Sequence, residues 1–206
     1  MKNVVTLKIW GMNLGLWFLV AITWYIFYKQ GGDLGVSSIV PPLVITLVLG
    51  ACALFPKYFF RKEEDYPVMR KVLVLLLVSA YYICGATLLL VLTQGKAHYL
   101  FERIFGIGLG LFFISLGNIM PKLPRSNFAG IRFSWTMTSD EVWREVHYWV
   151  GIETVITGTM IIIASIIFPI GKIKAIFVVL FILLLYAIFS SVHSYFIAKR
   201  MHNTKE

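Results

Sequence analysis

The sequence predicts an all-α, polytopic membrane protein folded as a bundle of six transmembrane helices. The chain has 206 residues, of which 59% are hydrophobic, and its mean hydropathy is +0.81. Only 14% of the residues are charged, whereas a soluble domain has about 25%. The apolar residues also form six runs separated by polar links. Because one soluble core cannot bury that much apolar surface, we expect lipid to solvate the chain.

The six runs are each close to the roughly 20 residues that a helix needs to cross a bilayer. They cover about residues 9–28, 39–55, 71–93, 100–120, 146–168 and 175–198. We therefore expect one integral membrane domain, 1–206, in which residues 121–145 form a cytoplasmic motif loop. The second run is the shortest, and Pro41 and Pro42 suit its first turn, where a missing N–H costs little.

The distribution of Lys and Arg predicts that both termini are cytoplasmic. With the N-terminus inside, the outer links contain only five of the nineteen basic residues: Lys29, Lys96, Arg103, Lys172 and Lys174. Cytoplasmic loops carry the excess of Lys and Arg in membrane proteins. The net charge of +9 is therefore attributed to orientation and to anionic lipid headgroups, and no direct nucleic-acid contact is expected.

Motifs of ordinary catalysis are not present in the sequence. It contains no H-E-x-x-H, G-x-S-x-G, P-loop or dinucleotide-binding motif, and Cys52 and Cys84 lie apart within apolar runs. We expect no enzymatic activity, cofactor or metal. Gly106 and Gly110 form a G-x-x-x-G step, which allows close helix approach; packing within the chain is the default, and a homodimer through this step is the alternative.

The longest polar interruption runs from Pro121 to Trp149. Its T-x-x-E sequence, Thr138 to Glu141, fits a capping box and predicts a helix that begins near Ser139 and continues into the fifth span. Trp143, with Tyr148 and Trp149, is typical of an aromatic belt at the lipid interface, although ligand contact is the alternative. His147 has no second ligand at metal-binding spacing, so a hydrogen-bonded structural histidine is favoured.

Three further residues in this region are harder to explain by packing. Arg132, three residues before Trp135, either binds an anionic group or belongs to a loop that caps the bundle. Glu153 lies about 10 Å into the fifth span, where an ionisable residue indicates function; Thr154, Thr157 or Arg132 could satisfy it. We expect Arg132, Trp135, His147 and Glu153 to converge at the mouth of that span.

Three short motifs in and around this stretch resemble the signature of a known family. They are G-N-x-M-P-K from Gly117, N-x-x-G-I-R-x-x-W-T from Asn127, and E-V-W-x-x-x-H from Glu141. The resemblance is to the SdpI family of bacterial membrane immunity proteins. With Glu153 added for its depth, the predicted functional motif residues are Asn118, Asn127, Gly130, Arg132, Trp135, Thr136, Trp143, His147 and Glu153. The outer segment after the first helix departs from the family, because no histidine precedes Gly31-Gly32-Asp33.

The resemblance implies a multi-pass protein of the bacterial cytoplasmic membrane that gives protection against a membrane-active peptide toxin. The implied partners are membrane lipids, the peptide toxin and, as in the founding member, a transcriptional repressor held at the membrane. The alternative from another class is a small membrane transporter or lipid-headgroup-binding protein that uses a polar site at the cytoplasmic end of the fifth helix. A purely structural motif is the third hypothesis.

Overall fold

The computed structural model describes residues 5–30, 40–55, 63–94, 96, 98–126, 129–168 and 175–203. In these ranges the chain forms six α-helices, two short 3₁₀ segments and no β-strand. The helices are α1 (Leu7–Lys29), α2 (Val40–Leu54), α3 (Tyr66–Leu92), α4 (His98–Ile119), α5 (Asp140–Ile167) and α6 (Ala175–Asn203). The 3₁₀ segments are Glu63–Asp65 and Met120–Lys122. The predicted all-α architecture is confirmed.

Five of the helices are long and apolar enough to cross a membrane, and α2 is the exception. Its 15 residues extend about 22 Å at 1.5 Å per residue, which is less than the roughly 30 Å of a hydrocarbon core. The sixth predicted helix therefore exists, and the count of six crossings stays a prediction.

Local chemistry moves several helix ends away from the predicted positions. Helix α3 begins at Tyr66, five residues before the predicted span, because Pro67 is accommodated in its first turn. Helix α5 begins at Asp140, as expected, but its N-cap is Ser139, whose hydroxyl accepts from the Val142 N–H at 3.1 Å. The predicted Thr138 capping box is wrong, since the Thr138 hydroxyl donates to the Trp135 carbonyl instead.

The bundle is built from helices that pack in a chain of neighbours. Helix α1 packs on α3, α3 on α4, α4 on α5, and α5 on α6, while α2 lies at the edge against α1 and α3. A small polar cluster attaches α2: the Thr46 hydroxyl accepts from the Asn13 amide at 3.0 Å and from the Trp17 indole N–H at 2.9 Å.

Small residues let α4 and α5 approach each other closely. A Cβ added at Gly110 would lie 2.5 Å from the Gly158 carbonyl oxygen, and one at Gly117 would lie 2.6 Å from the Gly151 carbonyl oxygen. A Cβ added at Gly106 would meet the side chain of Ser165, also on α5. The G-x-x-x-G step is thus covered by α5 of the same chain, which removes the basis for a homodimer through Gly106 and Gly110.

Candidate functional site

The segment between α4 and α5, residues 123–139, is called the motif loop, and the structure describes it at residues 123–126 and 129–139. Arg125 connects its two ends: one guanidinium N–H donates to the Met137 carbonyl at 2.9 Å, and Nε pairs with Asp140 at 2.8 Å. Within the loop the buried Thr136 hydroxyl donates to the Ile131 carbonyl at 2.7 Å, lies 2.9 Å from the Phe133 carbonyl, and accepts from the Phe133 N–H. The loop therefore has an internal hydrogen-bonded framework.

Trp143 and His147 attach the motif loop to α5. Their rings stack at a centroid distance of 3.8 Å, and both side chains are buried. The Trp143 indole N–H donates to the Leu123 carbonyl at 2.8 Å. His147 Nδ1 lies 2.8 Å from the Trp143 carbonyl, and Nε2 accepts from the Ile131 N–H at 3.0 Å. This pattern requires the neutral imidazole with its proton on Nδ1.

Gly130 is the residue that allows the motif loop to lie directly on this aromatic pair. Its φ is +114°, a conformation that a side chain makes costly. A Cβ at this position would lie 2.4 Å from His147 Nε2 and 2.7 Å from the Trp143 ring. Both the backbone conformation and the space therefore favour glycine.

Trp135 connects the motif loop to α6. Its indole N–H donates to the Ser194 hydroxyl at 3.2 Å. Its ring stacks on Phe133 at 4.5 Å and meets the edge of Tyr195 at 5.7 Å. The loop is thus joined to both helices that follow it.

The remaining predicted motif residues differ in their surroundings. Asn118 and Arg132 are exposed, and Asn127 lies outside the described residues. Trp143 is buried, so its predicted place in an interfacial belt is wrong, whereas Tyr148 and Trp149 are exposed as that interpretation requires. His147 is buried and hydrogen-bonded through both ring nitrogens, which agrees with the structural interpretation.

Glu153 lies at the α5–α6 interface, where its carboxylate has two partners on α6. One oxygen is bonded to His193 Nδ1, and the other accepts from the Ser190 hydroxyl. The predicted partners Thr154, Thr157 and Arg132 do not appear among these bonds. Thr154 instead donates to the Val150 carbonyl and lies 2.7 Å from the Tyr186 hydroxyl. The Glu153 carboxylate is therefore hydrogen-bonded, as expected, but its partners are His193 and Ser190.

The partners of Glu153 could have been found from a spacing in the last helix. The polar residues Tyr186, Ser190, His193 and Ser194 recur there at three- and four-residue intervals in an otherwise apolar segment. Such intervals place side chains on one helix face. These residues were not grouped from the sequence, and so the polar stripe that meets Glu153 and Trp135 was not predicted.

A groove opens beside this cluster, between α5 and α6 on the outer surface of the bundle. Its volume is about 570 Å³, and its walls include Glu153 together with Ile156, Met160, Leu185 and Ile188. Those four apolar side chains are each half exposed. The Glu153 side chain is 12% exposed, so the carboxylate is mostly covered but borders the groove.

The four residues expected to converge do not share one site. Trp135 bonds to Ser194, His147 to the backbone of the motif loop and α5, and Glu153 to α6. Arg132 lies at the surface. Among the residues that the structure describes, no group of three or more His, Cys, Asp or Glu could hold a metal ion. The polar chemistry is thus divided between a structural loop and the Glu153 cluster.

Comparison with known proteins agrees with the resemblance seen in the motifs. Residues 122–193 match the SdpI/YfhL protein family, a segment that contains the motif loop, Glu153 and His193. The immunity protein SdpI of Bacillus subtilis (strain 168) is 24% identical over 215 residues, covering 99% of both chains. No solved structure matches the chain. Five helices long and apolar enough to cross a membrane, together with this end-to-end similarity to SdpI, indicate a multi-pass protein of the cytoplasmic membrane.

Proposed function

We propose that this chain, a member of the SdpI/YfhL family, is an immunity protein that protects its cell from a membrane-active peptide toxin. The observation that carries the proposal is the end-to-end match to a relative named immunity protein SdpI. The family segment within it also contains both polar regions of the structure. Protection is a binding function in this proposal and involves no catalytic step.

The position of the Glu153 cluster supports a role within the membrane. Ionisable residues inside transmembrane segments are costly and are usually associated with function. Here the carboxylate borders a groove that is open to lipid, where a membrane-directed peptide would be encountered. The groove is therefore the part of the molecule best placed to meet the toxin.

We further propose six crossings with both termini in the cytoplasm. The basic residues support this orientation, and the short α2 can be accommodated by local bilayer thinning. Single cysteines at Lys8, Arg132 and Arg200, in a chain with Cys52 and Cys84 replaced by Ala, should react with a membrane-impermeant maleimide only after cells are opened. Labelling of any of the three in intact cells would contradict the topology.

Under this topology the motif loop and the end of α6 form the cytoplasmic face, to which we assign the second role of retaining a transcriptional repressor. A fluorescent fusion of a small repressor encoded beside this chain's gene should move to the membrane when toxin is present. The same fusion should stay in the cytosol in cells that lack the chain. Unchanged localisation in both strains would remove this role and leave the immunity proposal intact.

Complementation tests the immunity function directly. A Bacillus subtilis strain that lacks its own immunity protein SdpI should regain growth in the presence of its toxin when it expresses this chain. An empty vector and an unrelated six-helix membrane protein at matched expression are the controls. Protection no greater than that from the unrelated protein would overturn the proposal for this toxin, and the toxin of the chain's own host then provides the decisive test.

A second candidate function, lipid-headgroup binding, is favoured by a different cavity. It has a volume of about 370 Å³, lies between the motif loop and α6, and is lined by Trp135, Tyr195 and Lys199 among others. A basic side chain beside aromatic rings suits an anionic headgroup. Anionic lipid that co-purifies with the wild type and is lost in Lys199→Ala, but not in Lys8→Ala, would support this function.

A further inference from the structure

The groove between α5 and α6 combines two properties that together define its ligand. Its walls are apolar and face outward, as lipid-contacting surfaces do, yet Glu153 contributes a carboxylate to them. His193, the partner of that carboxylate, is not part of the walls. An occupant of the groove would therefore border the carboxylate, while the imidazole, whose side chain is 36% exposed, lies outside the groove walls.

Depth restricts the kind of molecule that can reach Glu153. The exposed charges Arg144 and Glu145 mark the end of α5 that leaves the hydrocarbon region. Glu153 lies eight residues further along the helix, which is about 12 Å at 1.5 Å per residue. The hydrocarbon half-thickness is about 15 Å, so the carboxylate lies near the middle of the bilayer. A phospholipid headgroup remains at the interface, whereas an inserted peptide helix passes this depth.

Charge then determines which side chain the inserted helix should carry. The bonds of Glu153 within the described residues are to a histidine and a serine, and none is to Lys or Arg. A carboxylate can accept up to about four hydrogen bonds, so its two bonds to α6 leave room for a further donor. A Lys or Arg side chain on a neighbouring helix would supply that donor and pair with the carboxylate.

We propose that this groove binds a membrane-inserted peptide helix through a basic side chain that pairs with Glu153. The apolar walls would accept the flanking turns of the peptide. The identification of this peptide as the toxin rests on the proposed immunity function; binding itself does not.

The test uses the full-length protein in phosphatidylcholine vesicles and two synthetic 20-residue Leu/Ala helices, one with a central Lys and one with Leu in its place. A photoreactive benzoylphenylalanine replaces Ile156 in the groove or, as the control, the exposed Phe18 on α1. The Lys peptide should crosslink at position 156 at least fivefold more than the Leu peptide, and at least fivefold more than at position 18. Equal yields for the two peptides or the two positions, crosslinks mainly to lipid, or crosslinks between two copies of the chain would overturn the proposal.

Two variants locate the interaction. Glu153→Gln should remove the preference for Lys, and Ile188→Trp, which fills the groove and leaves the carboxylate in place, should reduce crosslinking of both peptides. If the Lys peptide still crosslinks more than the Leu peptide in both variants, the groove is not the binding site. If the Lys peptide binds but Glu153→Gln still protects cells from toxin, the site stands and the toxin is not its ligand. If the peptide does not bind and cells are protected, the site is wrong and the immunity function stands.

Discussion

The junction of the motif loop with α5 and the Glu153 cluster lie on the same helix but differ in what their polar groups do. At the junction, the side chains of Thr136, Trp143 and His147 are at most 1% exposed, and each is hydrogen-bonded to backbone groups. In the cluster, a carboxylate is paired across two helices beside an open groove. The polar groups of the first region are therefore occupied by bonds within the fold, whereas the second region places a carboxylate beside an open surface.

The largest expected effect lies where the motif loop packs on α5. Trp143→Ala should destabilise the folded protein by about 3–5 kcal/mol, because a fully buried aromatic ring and its bond to Leu123 are lost. Thermal unfolding in detergent measures the change, with the exposed Tyr148→Ala as the control. If the two variants unfold at the same temperature, the loop is not the structural element described here.

A second change tests the close contact of the loop with α5. Gly130→Ala should cost about 1–3 kcal/mol, because it combines a strained left-handed backbone with a Cβ that meets His147. Gly11→Ala is the matched control, since nothing lies within 4 Å of its added Cβ and alanine favours a helix by up to about 1 kcal/mol. The two substitutions should therefore shift the unfolding temperature in opposite directions.

In the Glu153 cluster the expected effect is on protection and not on folding. Glu153→Gln keeps the shape of the side chain and should lower toxin protection at least tenfold, with an unfolding temperature within a few degrees of wild type. Growth in a toxin dilution series measures protection. The control is Glu145→Gln, an exposed position on the same helix that bonds to Trp149, which should protect as wild type does. A large loss of stability in Glu153→Gln would assign the cluster to structure.

The smallest expected effect concerns the connection between the two regions. Trp135→Phe and Ser194→Ala each remove one side of the bond that joins the motif loop to α6, and each should cost about 0.5–1.5 kcal/mol. In a double-mutant cycle the two changes should be less than additive by a similar amount. Full additivity would show that the loop and α6 are energetically independent.

The sequence predicted what depends on local chemistry. Long apolar runs allowed the helices to be located, and the depth of Glu153 in the fifth run identified it as a residue that needs a partner. The start of α5 was placed correctly, but the cap was assigned to Thr138 instead of Ser139. Both residues have a hydroxyl, and the choice depends on the Trp135 carbonyl, which already engages Thr138.

The contacts that the sequence did not predict join residues far apart in the chain, and they depend on how one helix is rotated against another. His193 is 40 residues from Glu153, and their contact depends on how α6 is rotated against α5. In the same way, His147 is buried beneath the backbone at Gly130. It therefore does not meet Arg132, which is exposed at the surface. Periodicity shows which residues share a helix face, but it does not show which neighbouring helix that face meets.

The paired glycines of α4 and α5 determine which parts of the molecule can move. Gly110 faces Gly158, and seven residues along, Gly117 faces Gly151. A slide of one residue would bring side chains against the opposing backbone, so the two helices have a single sterically permitted register over this length. The pair therefore acts as a fixed frame. Rotation or tilting of α6 against this frame would instead change hydroxyl, imidazole and carboxylate bonds, which can exchange partners.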